Sequence, residues 1–184
     1  MTNFKLYDRE FLHFSHILGN DPLQVQGAGG NTSIKNENYM WVKASGKELS
    51  DSISDNIFVP VNINLIRDSV STDNNQDIMK AVMDKNIKLR PSIETTFHAC
   101  LNWSIVAHTH SVSTLVHAIS EKGIKIAKEK LNDMPLSVIK YIKPGIDLTK
   151  EIMDNLNPKT QIFILKNHGL ICCGNSCLLY TSDA

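Results

Sequence analysis

The sequence predicts a layered α/β domain, and three observations support this prediction. Short apolar segments of strand length alternate with segments in which apolar residues recur at helical spacing. Turn-forming pairs such as Asp21-Pro22 and Pro144-Gly145 separate these segments. The chain has 184 residues, of which 42% are hydrophobic and 21% charged, as is typical of one globular domain with a sizeable core.

Composition argues against several classes of partner. Lys plus Arg equals Asp plus Glu at 19 each, so no net charge attracts nucleic acid or anionic lipid. No apolar run approaches the roughly 20 residues that a membrane-spanning helix needs, and the N-terminus lacks the pattern of a secretory signal. The four cysteines form no Cys-x-x-Cys pair. We therefore expect a cytoplasmic protein with reduced thiols that binds neither nucleic acid nor membrane.

The first helix and a glycine-rich segment open the chain. The helix is predicted from apolar residues at helical spacing, with Gly19 as its C-cap; these residues are Tyr7, Phe11, Phe14 and Leu18. Residues 26–35 follow, and their glycines leave backbone amides accessible to an anion; these glycines are Gly27, Gly29 and Gly30. A plain tight turn explains the same spacing, and the residues alone leave both readings open.

Two strands are predicted next, over residues 39–43 and 57–61, with the small turn Ala44-Ser45-Gly46 after the first. The polar residues 68–77 predict a loop, and Ile78, Met79, Val82 and Met83 predict a short amphipathic helix.

Ser92 is the candidate N-cap of the following helix, because Arg90-Pro91-Ser92 is a helix-start signal. The expected buried stripe consists of Ile93, Phe97, Cys100 and Leu101. Glu94 falls in the first turn, where the helix dipole favours a carboxylate whatever its role. His98 lies four residues later on the same face, and it either orients Glu94 or serves only the core.

Residues 104–111 predict a strand that carries two histidines to its exposed end. His108 and His110 would lie on one face with Cα atoms about 7 Å apart. Imidazoles at that separation can converge on one tetrahedral cation, and catalytic zinc typically takes three protein ligands. An isolated His-x-His is weak evidence, since ordinary surface or core histidines produce the same pattern.

The rest of the chain continues the alternation of helices and strands. Ser111 is expected to cap a helix that turns Val112, Leu115, Val116 and Ile119 inward. Residues 136–142 predict a strand, and Asp147 is expected to cap a helix bearing Leu148, Ile152 and Leu156. Two apolar strands, 162–165 and 170–173, flank Asn167-His168-Gly169. His168 lies at a glycine turn between two core strands, and it is therefore the candidate for the third metal ligand.

Five motifs in this order resemble the class II aldolase/adducin family, which includes fuculose-phosphate and rhamnulose-phosphate aldolases and ribulose-phosphate 4-epimerase. The motifs are Gly29-Gly30-Asn31-Thr32-Ser33, Ala44-Ser45-Gly46, Pro91-Ser92-x-Glu94, His108-x-His110 and Asn167-His168-Gly169. The resemblance implies a layered α/β/α domain with a central mixed sheet and homo-oligomers, commonly tetramers. The segments 41–46 and 90–95 are most similar to rhamnulose-phosphate-aldolase-like members, some of which are fused to a dehydrogenase domain.

The resemblance also implies roles for individual residues. His108, His110 and His168 would hold Zn2+, with Glu94 as a fourth ligand that becomes the acid/base once substrate binds. The substrate's phosphate would bind Asn31, Ser33, Ser45, Gly46 and Ser92. Two departures weaken the case for a phosphorylated substrate: Ile93 stands where family members often carry a second Ser or Thr, and Ala28 replaces a hydroxyl residue of some aldolases.

These roles suit a retro-aldol reaction on a ketose phosphate, giving dihydroxyacetone phosphate and an aldehyde such as lactaldehyde. A divalent Lewis acid stabilises the enediolate that such cleavage generates, and a nearby carboxylate can carry the hydroxyl proton. The alternatives are a pentulose-phosphate 4-epimerase or a dehydratase on the same scaffold, and a non-catalytic adducin-head-like assembly module. We expect residues 1–176 to form the C-terminally truncated domain and residues 177–184 to be a non-native tail resembling translated adapter sequence.

Overall fold

The computed structural model describes residues 7–72 and 78–177, and across these ranges seven strands form one mixed sheet. The strands are β1 Asn31–Lys35, β2 Tyr39–Lys43, β3 Phe58–Asn62, β4 Ile105–Thr109, β5 Leu136–Ile139, β6 Ile162–Leu165 and β7 Gly169–Gly174. Their order is β3-β2-β1-β4-β7-β6-β5, and only the β5–β6 pair is parallel. The predicted α/β class with a central mixed sheet is confirmed.

Helices cover both faces of this sheet. They are α1 Arg9–Asn20, α2 Ile63–Ser71, α3 Thr95–Cys100, α4 Val112–Ala118, α5 Glu121–Lys130 and α6 Ile146–Asp154, with short 3-10 helices at Leu49–Ile53 and Ile78–Ala81. In the described ranges no helix has the length and apolar character needed to cross a bilayer.

The alternation of side chains along β4 shows which helices pack on each face of the sheet. Ile105 and Ala107 pack in one core cluster with Phe11 of α1. Val106 faces the other way and packs with Phe97 of α3 and with residues of α6. Successive side chains of a strand point to opposite faces, so β4 contributes to both halves of the core. His108 therefore shares its face with Val106, on the side of α3.

Several helix boundaries differ from the sequence-based expectation. Gly19 lies inside α1 rather than at its C-cap, which is Asp21. A Cβ at Gly19 would stand 2.2 Å from the backbone nitrogen of Ser50, so this glycine permits close helix packing. Asp147 is not the cap of α6, because Gly145 occupies that position with φ +127.

The prediction of a loop over 68–77 was wrong for its first residues, which belong to α2. Asn62 caps α2, and Ile63, Ile66 and Val70 are its buried residues. The polar residues 67–69, between Ile66 and Val70, hid the pattern. The remainder of the predicted loop, residues 73–77, lies outside the described residues, as do residues 178–184 of the predicted tail; Cys177 packs in the cluster around α1.

Two predicted apolar stripes are partly exposed. Ser92 does not cap α3, which begins at Thr95, and Ile93 is 58% exposed rather than buried. On α4, Val112, Val116 and Ile119 were expected to point inward, but they are 40%, 62% and 65% exposed. Helical spacing predicts which residues share a face, and it does not predict what covers that face.

Candidate metal centre

The candidate centre forms where the ends of β1, β4 and β7 meet. Asn31 of β1 lies opposite His108 in the antiparallel register, so both side chains share one face. His110 follows directly after β4, and His168 directly precedes β7. These residues come from strands that are distant in sequence, and they all lie at the same end of three neighbouring strands in the middle of the sheet.

The three imidazoles lie together in the structure. One nitrogen from each of His108, His110 and His168 lies within 4.8 Å of the others. The ring centroids are 5.1 Å apart for His108 and His110, 4.9 Å for His108 and His168, and 5.6 Å for His110 and His168. Three imidazoles that converge in this way match the usual ligand set of a catalytic zinc ion.

The turn between β6 and β7 makes this convergence sterically feasible. Asn167 adopts a left-handed conformation, with φ 56. A Cβ at Gly169 would stand 2.3 Å from the backbone oxygen of Thr109 and 3.1 Å from the ring of His108. Only glycine lets the turn approach β4 this closely, and the approach brings His168 beside the other two histidines.

Glu94 lies next to this cluster and is buried, with 6% of its surface exposed. Its Oε1 is 3.2 Å from His168 Nε2, and its Oε2 is 3.5 Å from His108 Nε2. The backbone of residues 90–92 sets this position by pairing with the end of β2: Ser45 N donates to Arg90 O and Ser92 N donates to Lys43 O.

Unpartnered atoms at the centre fit a cation. Among the described residues, Glu94 Oε1 and His108 Nε2 are buried and have no hydrogen-bond partner. Although His168 Nε2 is within ion-pair distance of Glu94 Oε1, the contact does not have hydrogen-bond geometry. Buried polar atoms are normally satisfied, so a carboxylate oxygen and an imidazole nitrogen that have no partner within the protein are suited to hold a ligand together. Their chemistry suits a divalent metal.

His108 is held in the form that a metal requires. Its Nδ1 lies 3.0 Å from Leu170 O, and because a carbonyl only accepts, Nδ1 carries the proton and Nε2 keeps its lone pair. Burial lowers the pKa of His108 to about 4, although Glu94 acts in the opposite direction. The imidazole is therefore neutral at pH 7.

Glu94 is ionised in the same setting. Burial acts to raise its pKa, but the interactions with His108 and His168 and the hydrogen bond from Asn31 outweigh burial. The pKa of Glu94 therefore lies below its ordinary value. A charged carboxylate and three imidazoles form a donor set that a divalent cation would satisfy.

Four of the five predicted phosphate-binding residues lie near this centre or on the turn beside it. Asn31 Nδ2 donates to Glu94 Oε2 at 2.8 Å and contacts Ser92 Oγ at 3.3 Å. Ser45 and Gly46 are exposed, and Gly46 has φ +76, which a side chain rarely adopts. Ser33 differs, because it is fully buried and its hydroxyl contacts His98 Nδ1 at 2.7 Å. The structure gives Ser33 no free hydroxyl for a phosphate.

The glycine-rich segment borders the same centre. A Cβ at Gly29 would stand 3.0 Å from His110 Nδ1, and one at Gly30 would stand 2.9 Å from His108 O. Gly27 and Gly30 both have positive φ. The segment is therefore more than a plain turn, because its glycines let the backbone lie against the histidines.

Lys43 is a residue of this region that the sequence analysis missed. It is 2% exposed, and its ammonium donates to Ala28 O at 2.9 Å and to Lys47 O. Burial lowers its pKa to about 8, against the opposing effect of Glu94. Lys43 ties the glycine-rich segment to the turn at Ser45 and Gly46. The sequence shows only a lysine at a strand end, with no sign of these carbonyl partners.

Comparison with known proteins places the chain in a family. Residues 9–178 match the family described as Class II Aldolase and Adducin N-terminal domain. The chain is 29% identical to the uncharacterized oxidoreductase YuxG of Bacillus subtilis, over 91% of this chain but only 26% of YuxG. It is 25% identical to an L-fuculose phosphate aldolase of Methanococcus maripaludis, over 89% of this chain and 82% of that protein.

Solved structures give the same result. The N-terminal class II aldolase domain of a conserved protein from Thermoplasma acidophilum superposes with a TM-score of 0.81 and 26% identity. The match covers 96% of this chain and 88% of that domain. A sugar-phosphate aldolase from Thermotoga maritima superposes with a TM-score of 0.64 at 15% identity, a likeness of fold alone. This chain belongs to the class II aldolase and adducin N-terminal domain family.

Proposed function

We propose that this chain is a zinc-dependent aldehyde-lyase, which cleaves a ketose phosphate to dihydroxyacetone phosphate and an aldehyde such as lactaldehyde. The observation that carries the proposal is the cluster of His108, His110 and His168 with the unpartnered Oε1 of Glu94 beside it. The relatives named L-fuculose phosphate aldolase support it, since the alignments cover most of their length.

His108, His110 and His168 would hold the Zn2+, with Glu94 as the fourth ligand before substrate arrives. Bound zinc supplies a Lewis acid that stabilises negative charge developing on substrate oxygens. Glu94 is ionised in the free protein, so its Oε1 can accept a proton from the substrate. This proton comes from the hydroxyl on the carbon that becomes the aldehyde when the carbon–carbon bond breaks. The same carboxylate can return the proton later in the cycle.

The phosphate of the substrate would bind neutral donors: Asn31, Ser92, Ser45 and the backbone at Gly46. Ser45 and Gly46 are exposed on the turn that Lys43 ties to the glycine-rich segment. Such donors hold the remote end of the substrate and so contribute to its orientation. Asn31 would turn the N–H that faces Ser92 toward the phosphate and would keep its hydrogen bond to Glu94. Ser33 is left out of this group because its single hydroxyl contacts His98.

Metal analysis and a substrate panel test this proposal on the full 184-residue chain. We expect about one zinc per chain, its loss in His108→Ala, and zinc-dependent release of dihydroxyacetone phosphate from at least one ketose phosphate. Interconversion of pentulose phosphates without cleavage would replace the proposal with a 4-epimerase, and loss of water from the substrate would indicate a dehydratase. A folded protein that binds no zinc would favour a non-catalytic assembly module of the adducin-head type.

We also propose that the domain acts as a cytoplasmic homo-oligomer. Val112 and Val116 of α4 and Ile119 at its C-cap are exposed, and their helical spacing places them on one face. An apolar stripe of this kind is typical of a surface that a partner covers. Light scattering would show a multimer, a tetramer by family resemblance, which Val116→Lys dissociates while the exposed control Leu65→Lys does not.

The similarity to YuxG supports a further proposal about the full-length protein. YuxG is named an oxidoreductase, and this chain aligns with about a quarter of it. We propose that the aldolase domain is joined to a dehydrogenase domain in its complete form. Sequencing the complete gene would test this.

A further inference from the structure

We propose that His98 is a positioning residue, which fixes the side-chain amide of Asn31 so that the amide donates a hydrogen bond to Glu94. The sequence allowed a direct contact between His98 and Glu94, or none. The structure instead shows an indirect connection through Asn31. The inference rests on the proposed function only in so far as Glu94 serves a metal centre.

Four side chains form a continuous hydrogen-bonded series. Ser33 Oγ lies 2.7 Å from His98 Nδ1, His98 Nε2 contacts Asn31 Oδ1, and Asn31 Nδ2 lies 2.8 Å from Glu94 Oε2. Ser33 and His98 have no exposed surface, and Asn31 and Glu94 are 4% and 6% exposed. Water cannot readily replace any link, so each group depends on its neighbours.

The acceptor at one end sets the direction of the whole series. Asn31 Nδ2 donates to the carboxylate oxygen Oε2 of Glu94, and this leaves Asn31 Oδ1 facing His98. Oδ1 only accepts, so His98 Nε2 must carry the proton. Burial lowers the pKa of His98 well below its ordinary value, and the ring is neutral. Its bare Nδ1 then accepts from the hydroxyl of Ser33.

This arrangement gives His98 a specific task. Without the donor at Nε2, Oδ1 of Asn31 would be buried and unpaired, which costs free energy, or the amide would rotate and turn Oδ1 toward Glu94. Either change removes the donor that holds Oε2 of Glu94. Lys35 fixes the backbone of His98 by donating to its carbonyl, so the ring has little freedom to compensate.

A matched pair of variants tests the donor at Nε2. A glutamine at position 98 places an amide nitrogen near the site of Nε2, whereas an asparagine reaches only the site of Nδ1. The probe is Co2+ titrated into the metal-free full chain, read from its visible absorption spectrum. We expect His98→Gln to keep the spectrum and the order of magnitude of the Kd. His98→Asn should alter the spectrum and raise the Kd about 10-fold or more.

Thermal unfolding of each variant controls for simple damage to the core. Equal Co2+ binding by wild type, His98→Gln and folded His98→Asn would overturn the inference. Equal loss in both folded variants would also overturn it, because packing of the imidazole, rather than its donor, would then be what matters.

A second measurement decides the question without metal and without substitution at the site. The ring ¹⁵N spectrum of the metal-free chain should show His98 protonated on Nε2 and bare on Nδ1. The opposite tautomer would overturn the inference even if a variant fails to fold. If wild type binds no Co2+ but His98 shows the expected tautomer, the proposed zinc function fails and the orientation of Asn31 by His98 stands.

Discussion

Replacing Gly169 with alanine tests whether the turn between β6 and β7 sets the geometry of the candidate metal centre. The new Cβ would stand 2.3 Å from Thr109 O, 3.1 Å from His108 Cε1 and 3.3 Å from His110 Cδ2. Ordinary van der Waals contact begins near 3.4 Å. Because the first of these atoms is backbone at the end of the central strand β4, the turn must move away by roughly 1 Å.

His168 directly precedes Gly169, so its imidazole moves with the turn. A metal site tolerates ligand displacements of only about 0.2 Å. Mutating a residue that only hydrogen-bonds to a metal ligand typically lowers metal affinity by about 10- to 100-fold. Gly169→Ala displaces a ligand itself, so we expect the affinity for zinc to fall by at least that much. Overpacking at the sheet should lower the free energy of unfolding by about 1–3 kcal/mol.

Competition with a chromophoric chelator measures the zinc affinity, and denaturant unfolding of the metal-free protein measures stability. Gly145→Ala is the matched control, because Gly145 has φ +127 and an added Cβ would meet no atom within 4 Å. Backbone strain should lower the free energy of unfolding of Gly145→Ala by about 1–3 kcal/mol, while its zinc affinity stays unchanged. A folded Gly169→Ala that binds zinc like wild type, or a Gly145→Ala that loses as much affinity, would refute the reasoning.

Three further substitutions separate roles within the chain. Glu94→Gln should retain zinc but lose at least about 100-fold in turnover, because the amide cannot carry the proton; unchanged turnover would remove Glu94 from the mechanism. Lys43→Met keeps the apolar stem but frees two loop carbonyls, so KM for the ketose phosphate should rise more than kcat falls. A loss confined to kcat would contradict this. Burial lowers the pKa of Lys35 to about 7 from 10.5, so between these values the unfolded chain binds the proton more readily. The unfolding free energy of wild type should therefore rise from pH 7 to 10 relative to Lys35→Met, and a constant difference would contradict the expected titration.

Much of the fold could be predicted from local pattern. The apolar run of β4 and its alternation placed His108 on the face of Val106, and the glycine turn placed His168 at the start of β7. Local pattern failed where burial depends on other segments. The stripe of Val112, Val116 and Ile119 has the spacing of a buried face, yet nothing in the described residues covers it. Ile93 likewise fits the stripe of α3 but precedes the helix and is exposed.

The supporting residues of the centre could not be predicted because their partners are remote. His98 is 67 residues from Asn31, and Asn31 is 63 residues from Glu94. A candidate metal ligand can be recognised from its residue type, because few side chains bind zinc. A residue that only orients a ligand can be any hydrogen-bond donor of the right length, so its type does not identify it. Ser33 illustrates the difference: a serine in a glycine-rich segment suits a phosphate, but its position in β1, on the face of Asn31, directs its hydroxyl to His98. The register of β1 against β4 places His108 opposite Asn31, and Ser33, two residues along β1, shares the face of Asn31. A shift of one residue would move both Asn31 and Ser33 to the other face of the sheet.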